Sequence, residues 1–117
     1  MNIEAFRAYC LSKPGTSEGF PFDERTLVFK VMDKMFALTD VDSFESVNLK
    51  CDPDRAVELR EQFDFVLPGY HMSKKHWNTV LVDLASDQQL KEWTDHSYDL
   101  VVSGLPKKVK EELVKMK

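Results

Sequence analysis

Residues 26–39, TLVFKVMDKMFALT, contain two runs of branched and aromatic residues on either side of a short polar turn. Such runs are typical of β-strands. They predict one strand from Thr26 to Val31 and a second from Met35 to Thr39, with the chain reversing at Asp33-Lys34. The short alternating segment Ser46 to Lys50 predicts a third strand. Together these segments predict an antiparallel sheet in the first half of the chain.

Helical patterns lie on both sides of these strands. Apolar residues at helical spacing predict a short amphipathic helix over residues 2–12, which Pro14-Gly15 ends. Asp52-Pro53 predicts the start of a second helix. An aspartate there accepts hydrogen bonds from free backbone N–H groups, and a proline at the first helical position lacks the donor that would otherwise be unpaired.

The second half of the chain repeats this alternation. Strands are predicted at Phe65 to Leu67 and Trp77 to Leu84. Ser86 with Gln89 resembles a capping box and opens a helix that runs to Val102, with a break or bend expected at residues 95–97. A basic helix at residues 107–116 closes the chain.

The order of elements is α-β-β-β-α-β-β-α, which predicts an α+β two-layer sandwich: an antiparallel sheet with helices on one face. The 117 residues match the size of one ordinary domain, and no repeat or linker divides them. We therefore expect residues 1–117 to form a single domain.

Composition limits the possible partners. The formal net charge of −4 argues against a protein coated in positive charge, so any DNA binding must be local. Cys10 and Cys51 lack metal-binding or disulfide spacing, which favours a reduced cytoplasmic protein. The N-terminus lacks the apolar core of a signal peptide, and no apolar run approaches the roughly 20 residues that span a bilayer. We expect a cytoplasmic location and no membrane partner.

Most of the chemistry that could contact a ligand lies in residues 68–80, PGYHMSKKHWNTV. Pro-Gly reverses the chain and a strand begins at Trp77, so the residues between are expected on an exposed loop. Ammonium groups that hold phosphates beside aromatic rings are typical of nucleic-acid contact. The candidate nucleic-acid-binding residues are Lys34, Tyr70, His71, Lys74, Lys75, His76 and Trp77.

A structural role for the same residues is the main alternative. Lys74 and Lys75 would then be a solvated turn, and Trp77 the first core residue of its strand. Likewise, Phe20-Pro21-Phe22 is either an exposed anchor for a partner or, as we favour, a hydrophobic plug that closes the sheet edge.

Metal and catalytic sites are not indicated. His71 and His76 have no matching third ligand, and the sequence predicts no metal site and no cofactor. Cys51, beside a helix start, meets only part of the requirement for a reactive thiol because Asp52 opposes thiolate formation. His96 beside Asp95 resembles a catalytic pair, but a histidine partnered by solvent is the commoner case. No acid, base and nucleophile set emerges, so no catalytic residue is assigned and a non-enzymatic role is favoured.

Several motifs resemble one known family. They are Gly19-Phe20-Pro21-Phe22, Lys34-Met35-Phe36-Ala37-Leu38, Leu49-Lys50, Pro68-Gly69-Tyr70-His71-Met72, Lys74-Lys75-His76-Trp77-Asn78-Thr79-Val80 and Ser97-Tyr98-Asp99-Leu100-Val101. They cover nearly the whole chain and are similar to the MmcQ/YjbR-like proteins. The resemblance implies a fold of the CyaY-like, secretion-chaperone-like type and a DNA-binding protein with a double-wing motif. It implies no catalytic residues.

Two functions therefore remain open. The first is a DNA-binding module that uses the loop at residues 70–77 and nearby lysines as phosphate contacts. The second is a protein-interaction or adaptor module in which a groove beside the loop receives a peptide or a dimer partner, with no nucleic-acid binding. We expect a monomer or a weak dimer.

Overall fold

The computed structural model describes residues 1–117 and contains four helices and one six-stranded antiparallel sheet. The helices are α1 (Ile3–Leu11), α2 (Pro53–Gln62), α3 (Asp87–Ser103) and α4 (Lys107–Lys115). The strands are β1 (Thr16–Gly19), β2 (Thr26–Val31), β3 (Lys34–Asp40), β4 (Ser46–Lys50), β5 (Val66–Pro68) and β6 (Trp77–Leu81). Their order across the sheet is β1-β2-β3-β4-β6-β5. The predicted α+β sandwich is confirmed.

The sharp turn between β2 and β3 comes one residue earlier than predicted. Met32 and Asp33 both have positive φ, 47° and 69°, and Val31 pairs with Lys34. This is the geometry of a two-residue type I′ turn, whose twist matches that of the flanking strands. The reversal predicted at Asp33-Lys34 is therefore wrong, and Lys34 is the first residue of β3.

Strand β1 was not predicted. Its sequence, TSEG, has none of the branched and aromatic residues by which strands are recognised. It forms because its backbone pairs with β2 at the sheet edge, from Thr16 opposite Val31 to Gly19 opposite Val28. Glu18 also accepts a hydrogen bond of 2.6 Å from Arg7 of α1. Tertiary pairing, not local pattern, makes this strand.

The core lies between the helices and one face of the sheet. Phe6 of α1 meets Phe29 of β2 edge to face at 5.7 Å between ring centroids. Phe36 of β3 meets Tyr98 of α3 in the same way at 5.5 Å. Edge-to-face contact is a favoured arrangement for aromatic pairs. These aromatic contacts thus pack α1 and α3 against the sheet.

Helix α3 is continuous, so the bend predicted at residues 95–97 is wrong. The helix opens with the predicted capping box of Ser86 and Gln89. Ser97 does not interrupt it: its hydroxyl donates to the Phe36 carbonyl at 2.5 Å and accepts from the Lys50 N–H at 2.9 Å. A polar residue that suggested a break instead ties the helix to β3 and β4.

Part of the second face of the sheet is covered by a loop, residues 69–76, and by a small apolar cluster. Val28, Leu38 and Trp77 are buried there, with Met35 and Met72 packed against them. The strand beginning at Trp77 ends at Leu81, three residues before the predicted end, because the Leu84 and Ala85 N–H groups turn back to the Leu81 carbonyl. No helix is both long and apolar enough to span a membrane.

Candidate functional site

The loop at residues 69–76 is exposed, as predicted, yet its backbone is fixed at both ends. The Gly69 N–H donates to the Trp77 carbonyl at 2.9 Å. A Cβ on Gly69 would lie 2.7 Å from the Trp77 Cβ, so only glycine fits this close approach. At the other end, the His76 and Trp77 N–H groups donate to the Ser73 carbonyl, and the His76 carbonyl accepts from Cys51 at 2.8 Å.

A polar pair on the sheet, the buried Thr79 and the half-buried Asn48, holds the first part of this loop. The Thr79 hydroxyl donates to Asn48 Oδ1 at 2.5 Å and accepts from the Tyr70 N–H at 2.9 Å. The Tyr70 backbone is pinned while its side chain is 68 % exposed. His71 follows in the left-handed region with φ of 58°, and its ring centroid lies 4.0 Å from that of Tyr70. Non-glycine residues in this region cluster at functional sites.

Lys74 and Lys75 lie on the opposite side of the loop, next to α2. Both are exposed, and neither belongs to an ion pair. Arg60 Nη1 donates to the Lys74 carbonyl at 2.9 Å. A shallow depression of about 520 Å³ separates the two lysines from Pro53, Asp54, Val57 and Arg60. The depression is therefore predominantly basic, with three cationic side chains and one carboxylate.

Lys34 lies elsewhere, at the start of β3. With Lys50 it lines a recess of about 290 Å³ that also includes Trp77 and the end of α3. Trp77 is only 8 % exposed, so it supports this recess from the core rather than projecting as a ring on which bases stack. The structure thus brings Lys34 to Trp77 and not to Lys74.

Two basic residues of this region were missed from sequence. Arg60 is on a helix whose position beside the loop depends on tertiary packing. Lys50 could have been found, because in the alternating strand SVNLK it has the opposite parity to the core residues Val47 and Leu49. That parity places it on the face that carries its register partner Trp77.

A second concave surface, which we call the open-face groove, crosses the second face of the sheet. It has a volume of about 490 Å³. Its residues are Phe22, Asp23, Thr26, Leu38, Thr39, Asp40, Ser46, Asn48, Tyr70, His71 and Met72. Phe20 and Phe22 are 49 % and 63 % exposed, so the interpretation of Phe20-Pro21-Phe22 as a buried plug is wrong. Too few neighbouring side chains surround this loop to cover its rings.

The residues that resembled catalytic groups have other partners. Asp95 contacts Lys13 and accepts a hydrogen bond of 2.5 Å from the Tyr9 hydroxyl. Burial, together with this hydrogen bond, raises the pKa of Tyr9 to about 12. His96 Nε2 instead accepts from the Asp52 N–H at 3.2 Å. Burial, assisted by the nearby Arg55 charge, lowers the pKa of His96. Burial likewise raises the pKa of Cys51 to about 11, which suppresses the thiolate that a nucleophile requires.

Comparison with known proteins places this geometry in a family. The YjbR family model matches residues 11–100. Protein YjbR of Escherichia coli (strain K12) is 35% identical over 118 residues, covering 99% of this chain and 100% of its own. Protein YbdF of Escherichia coli O157:H7 is 33% identical over 107 residues, covering 90% of this chain and 88% of its own.

Two solved structures are similar. The crystal structure of Deinococcus radiodurans protein DR2400, with domain DUF419, superposes with a TM-score of 0.88 at 41% identity, covering 96% of this chain and 87% of that one. A Pseudomonas syringae protein superposes with a TM-score of 0.71 at 26% identity, covering 86% of this chain and 98% of that one. Sequence and fold agree along the chain, which therefore belongs to the YjbR family.

Proposed function

We propose that the protein binds DNA through one end of its sheet, where two hairpin ends and most of the lysines outside ion pairs lie in separate clusters. We call this the basic end; it comprises Lys34, Lys50, Lys74, Lys75 and the first turn of α4. The observation that carries the proposal is topological. In the strand order β1-β2-β3-β4-β6-β5, strands β2 and β5 run in the same direction, so the turns that follow them leave the sheet at the same end.

These two hairpin ends are the candidate wings. The first is the Met32-Asp33 turn, which presents Lys34, and the second is the loop at residues 69–76, which presents Lys74 and Lys75. Three inter-strand spacings separate their centres, or about 14 Å at roughly 4.8 Å per spacing. The major groove of B-DNA is about 12 Å wide, so two such wings can contact phosphates on both sides of one groove.

Positive and negative side chains are unevenly distributed along the sheet, so one end can be basic although the net charge is −4. The connections at the opposite end of the sheet carry carboxylates, among them Asp42, Glu45 and Asp83. At the basic end, the recess with Lys34 and Lys50 also includes Gly104 and Leu105, and α4 begins two residues later with Lys107 and Lys108. Asp33 and Asp54 also lie at this end, so the lysines give an excess of positive charge there. A local excess of positive charge attracts a polyanion even when the whole molecule is acidic.

The proposed contacts are to phosphates and carry no base specificity. Lysine is a point charge on a flexible stem, which suits backbone contacts more than the reading of base edges. Binding is therefore weak and steeply dependent on salt, in the range of about 10⁻⁴ to 10⁻⁶ M that is typical of non-specific complexes.

Fluorescence polarisation with a labelled duplex of about 20 base pairs, titrated between about 25 and about 150 mM NaCl, tests the proposal. Lys34→Glu is expected to reduce the slope of log K against log salt by about one, and the pair Lys74→Glu/Lys75→Glu by about two. Lys91→Glu is the matched control, because Lys91 is exposed and lies in the N-terminal half of α3, away from the basic end.

Two results would contradict the proposal. One is an absence of binding at the lowest salt concentration. The other is an equal loss of affinity in Lys34→Glu and Lys91→Glu, which would mean that only the total charge matters.

A further inference from the structure

We propose that the open-face groove binds an extended segment of a partner protein through an arginine side chain of that segment. This site is distinct from the basic end, and its chemistry is opposite in sign. Four features of the groove lead to this assignment: its exposed rings, its fixed wall, its charge and its size.

The rings of Phe22 and Tyr70 rim the groove and are 63 % and 68 % exposed. Neither ring belongs to the core or to the small cluster behind the loop. Apart from the contact between the Tyr70 and His71 rings, whose centroids are 4.0 Å apart, these two aromatic surfaces are available beside one concavity. Contiguous exposed apolar surface rimmed by polar groups is typical of interaction sites.

The backbone at Tyr70 is held in place before any ligand arrives. Its N–H is bonded to Thr79, which is itself bonded to Asn48, and Gly69 allows the chain to pass tightly over Trp77. A backbone that is already held in place loses little conformational entropy on binding, which favours affinity.

The charged side chains that line the groove favour a cationic ligand. Asp23 and Asp40 are among its lining residues, and no lysine or arginine is. Backbone N–H groups hold both carboxylates: Asp23 accepts from Arg25 and Thr26, and Asp40 accepts from Asp42 and Ser43. These bonds lower the pKa of both groups, so they remain ionised.

The two carboxylates differ in the partners that they already have. Arg25 Nη2 lies 3.4 Å from Asp40 Oδ2, and Arg25 Nε lies 3.4 Å from Asp42 Oδ2. Asp23 has no ion pair. Its Oδ1 accepts from two backbone N–H groups and its Oδ2 from the Thr26 hydroxyl at 3.1 Å, so Oδ2 keeps one acceptor position for a cation. Apart from the two aspartates and Tyr70, His71 is the only titratable residue that lines the groove. A protonated imidazole there would oppose a cation.

Arginine matches this combination better than lysine does. Its planar guanidinium stacks on an aromatic face and also forms paired hydrogen bonds with a carboxylate. The volume of about 490 Å³ accommodates such a side chain together with neighbouring apolar groups over Leu38 and Met72. A phosphate would instead meet two carboxylates, which excludes the groove as an extension of the basic end.

The probe is the acetylated, amidated pentapeptide Gly-Leu-Arg-Leu-Gly, titrated into the full-length ¹⁵N-labelled protein at about pH 8, where an ordinary histidine is neutral. Amide resonances of Ser46, Asn48 and Tyr70 are expected to shift and saturate. Replacing the arginine by glutamine is expected to weaken binding by about threefold to thirtyfold, because one cation–π contact and one ion pair are lost.

Protein variants locate the site. Tyr70→Ala and Asp23→Asn are each expected to weaken binding of the arginine peptide by about twofold to fivefold. Leu84→Ala and Asp83→Asn are the matched controls, since both residues are exposed and neither lines the groove. Because the Tyr70 side chain is exposed, Tyr70→Ala keeps the fold and remains informative if Asp23→Asn disturbs its own loop.

The proposal is overturned by equal binding of the arginine and glutamine peptides, by resonance shifts confined to other surfaces, or by equal effects of the control variants. Saturable binding of acetylarginine amide with the same affinity would also overturn it, since a small cation and not a polypeptide would then suffice. Sedimentation that shows self-association lost in Tyr70→Ala would assign the groove to a second copy of this chain instead.

Discussion

The Ser97 hydroxyl on α3 donates a hydrogen bond of 2.5 Å to the carbonyl of Phe36 on β3. Phe36 lies where the β2–β3 register shifts, since Phe29 pairs with Ala37 and Lys30 with Met35. Ser97 also accepts from the Lys50 N–H at 2.9 Å, so it joins the main helix to both β3 and β4, just beyond their last register pair of Ala37 and Leu49.

Ser97→Ala is expected to lower the free energy of unfolding by about 1 to 3 kcal/mol, because the Phe36 carbonyl and the Lys50 N–H both lose a buried partner. Urea unfolding followed by circular dichroism measures this. Ser103→Ala, at an exposed position of the same helix, is the control and should change stability by less than about 0.5 kcal/mol. Equal effects would mean that helix propensity, not the bridge to the sheet, decides the outcome.

Valine substitutions at Thr79 and Thr94 are expected to have different effects on stability. Thr79→Val removes the donor to Asn48 and the acceptor for the Tyr70 N–H, and should destabilise the protein by about 1 to 3 kcal/mol. The Thr94 hydroxyl is buried without a partner, so Thr94→Val removes an unpaired polar group and should be neutral or stabilising. Chemical denaturation of both variants gives the comparison, and a less stable Thr94→Val would show that its hydroxyl has a partner in solution.

Gly69 and Gly19 differ in the space around them. A Cβ at Gly69 would lie 2.8 Å from the Trp77 carbonyl oxygen, whereas nothing lies within 4 Å of a Cβ at Gly19. Gly69→Ala should therefore cost about 1 to 3 kcal/mol and displace the loop, and Gly19→Ala should be close to neutral. Thermal unfolding measures the cost. Line broadening at Tyr70 and His71 would report the displacement, and its absence would show that Trp77 yields without moving the loop.

Stability should fall as the pH decreases below the ordinary pKa of histidine, and His96 is the expected cause. The pKa of His96 is lower in the folded protein, so the unfolded chain binds the proton more readily. Its contribution is present above pH about 6.5 and is lost as pH falls toward the folded pKa. Urea unfolding between pH about 7.5 and about 5.5 measures this dependence. His96→Gln should flatten it, and a pH dependence that persists in this variant would assign the effect to other groups.

Local rules were sufficient for several elements. The hairpin at residues 26–39 was predictable from its branched and aromatic residues, and α2 from its start at Asp52-Pro53. The capping box of Ser86 and Gln89 located the start of α3. In each case neighbouring residues satisfy one another's backbone groups, so the information is contained within a few positions. The exposure of the loop at residues 69–76 followed from the same logic.

Contacts between distant segments explain what sequence reasoning missed. Strand β1 depends on pairing with β2, and the exposure of Phe22 depends on the absence of covering side chains around its loop. The meeting of Lys34 with Lys50, and of Phe22 with Tyr70, depends on strand order. No short window of sequence contains that order.

The sequence by itself determined the α+β class, the helix starts, the hairpin and an exposed, chemically dense loop, because these follow from side-chain periodicity and capping within a few residues. Only the tertiary structure decided which side chains share a surface. Strand order set lysines at one end of the sheet and a groove with carboxylates and aromatic rings across its second face, because segments far apart in the chain become neighbours only when the sheet pairs.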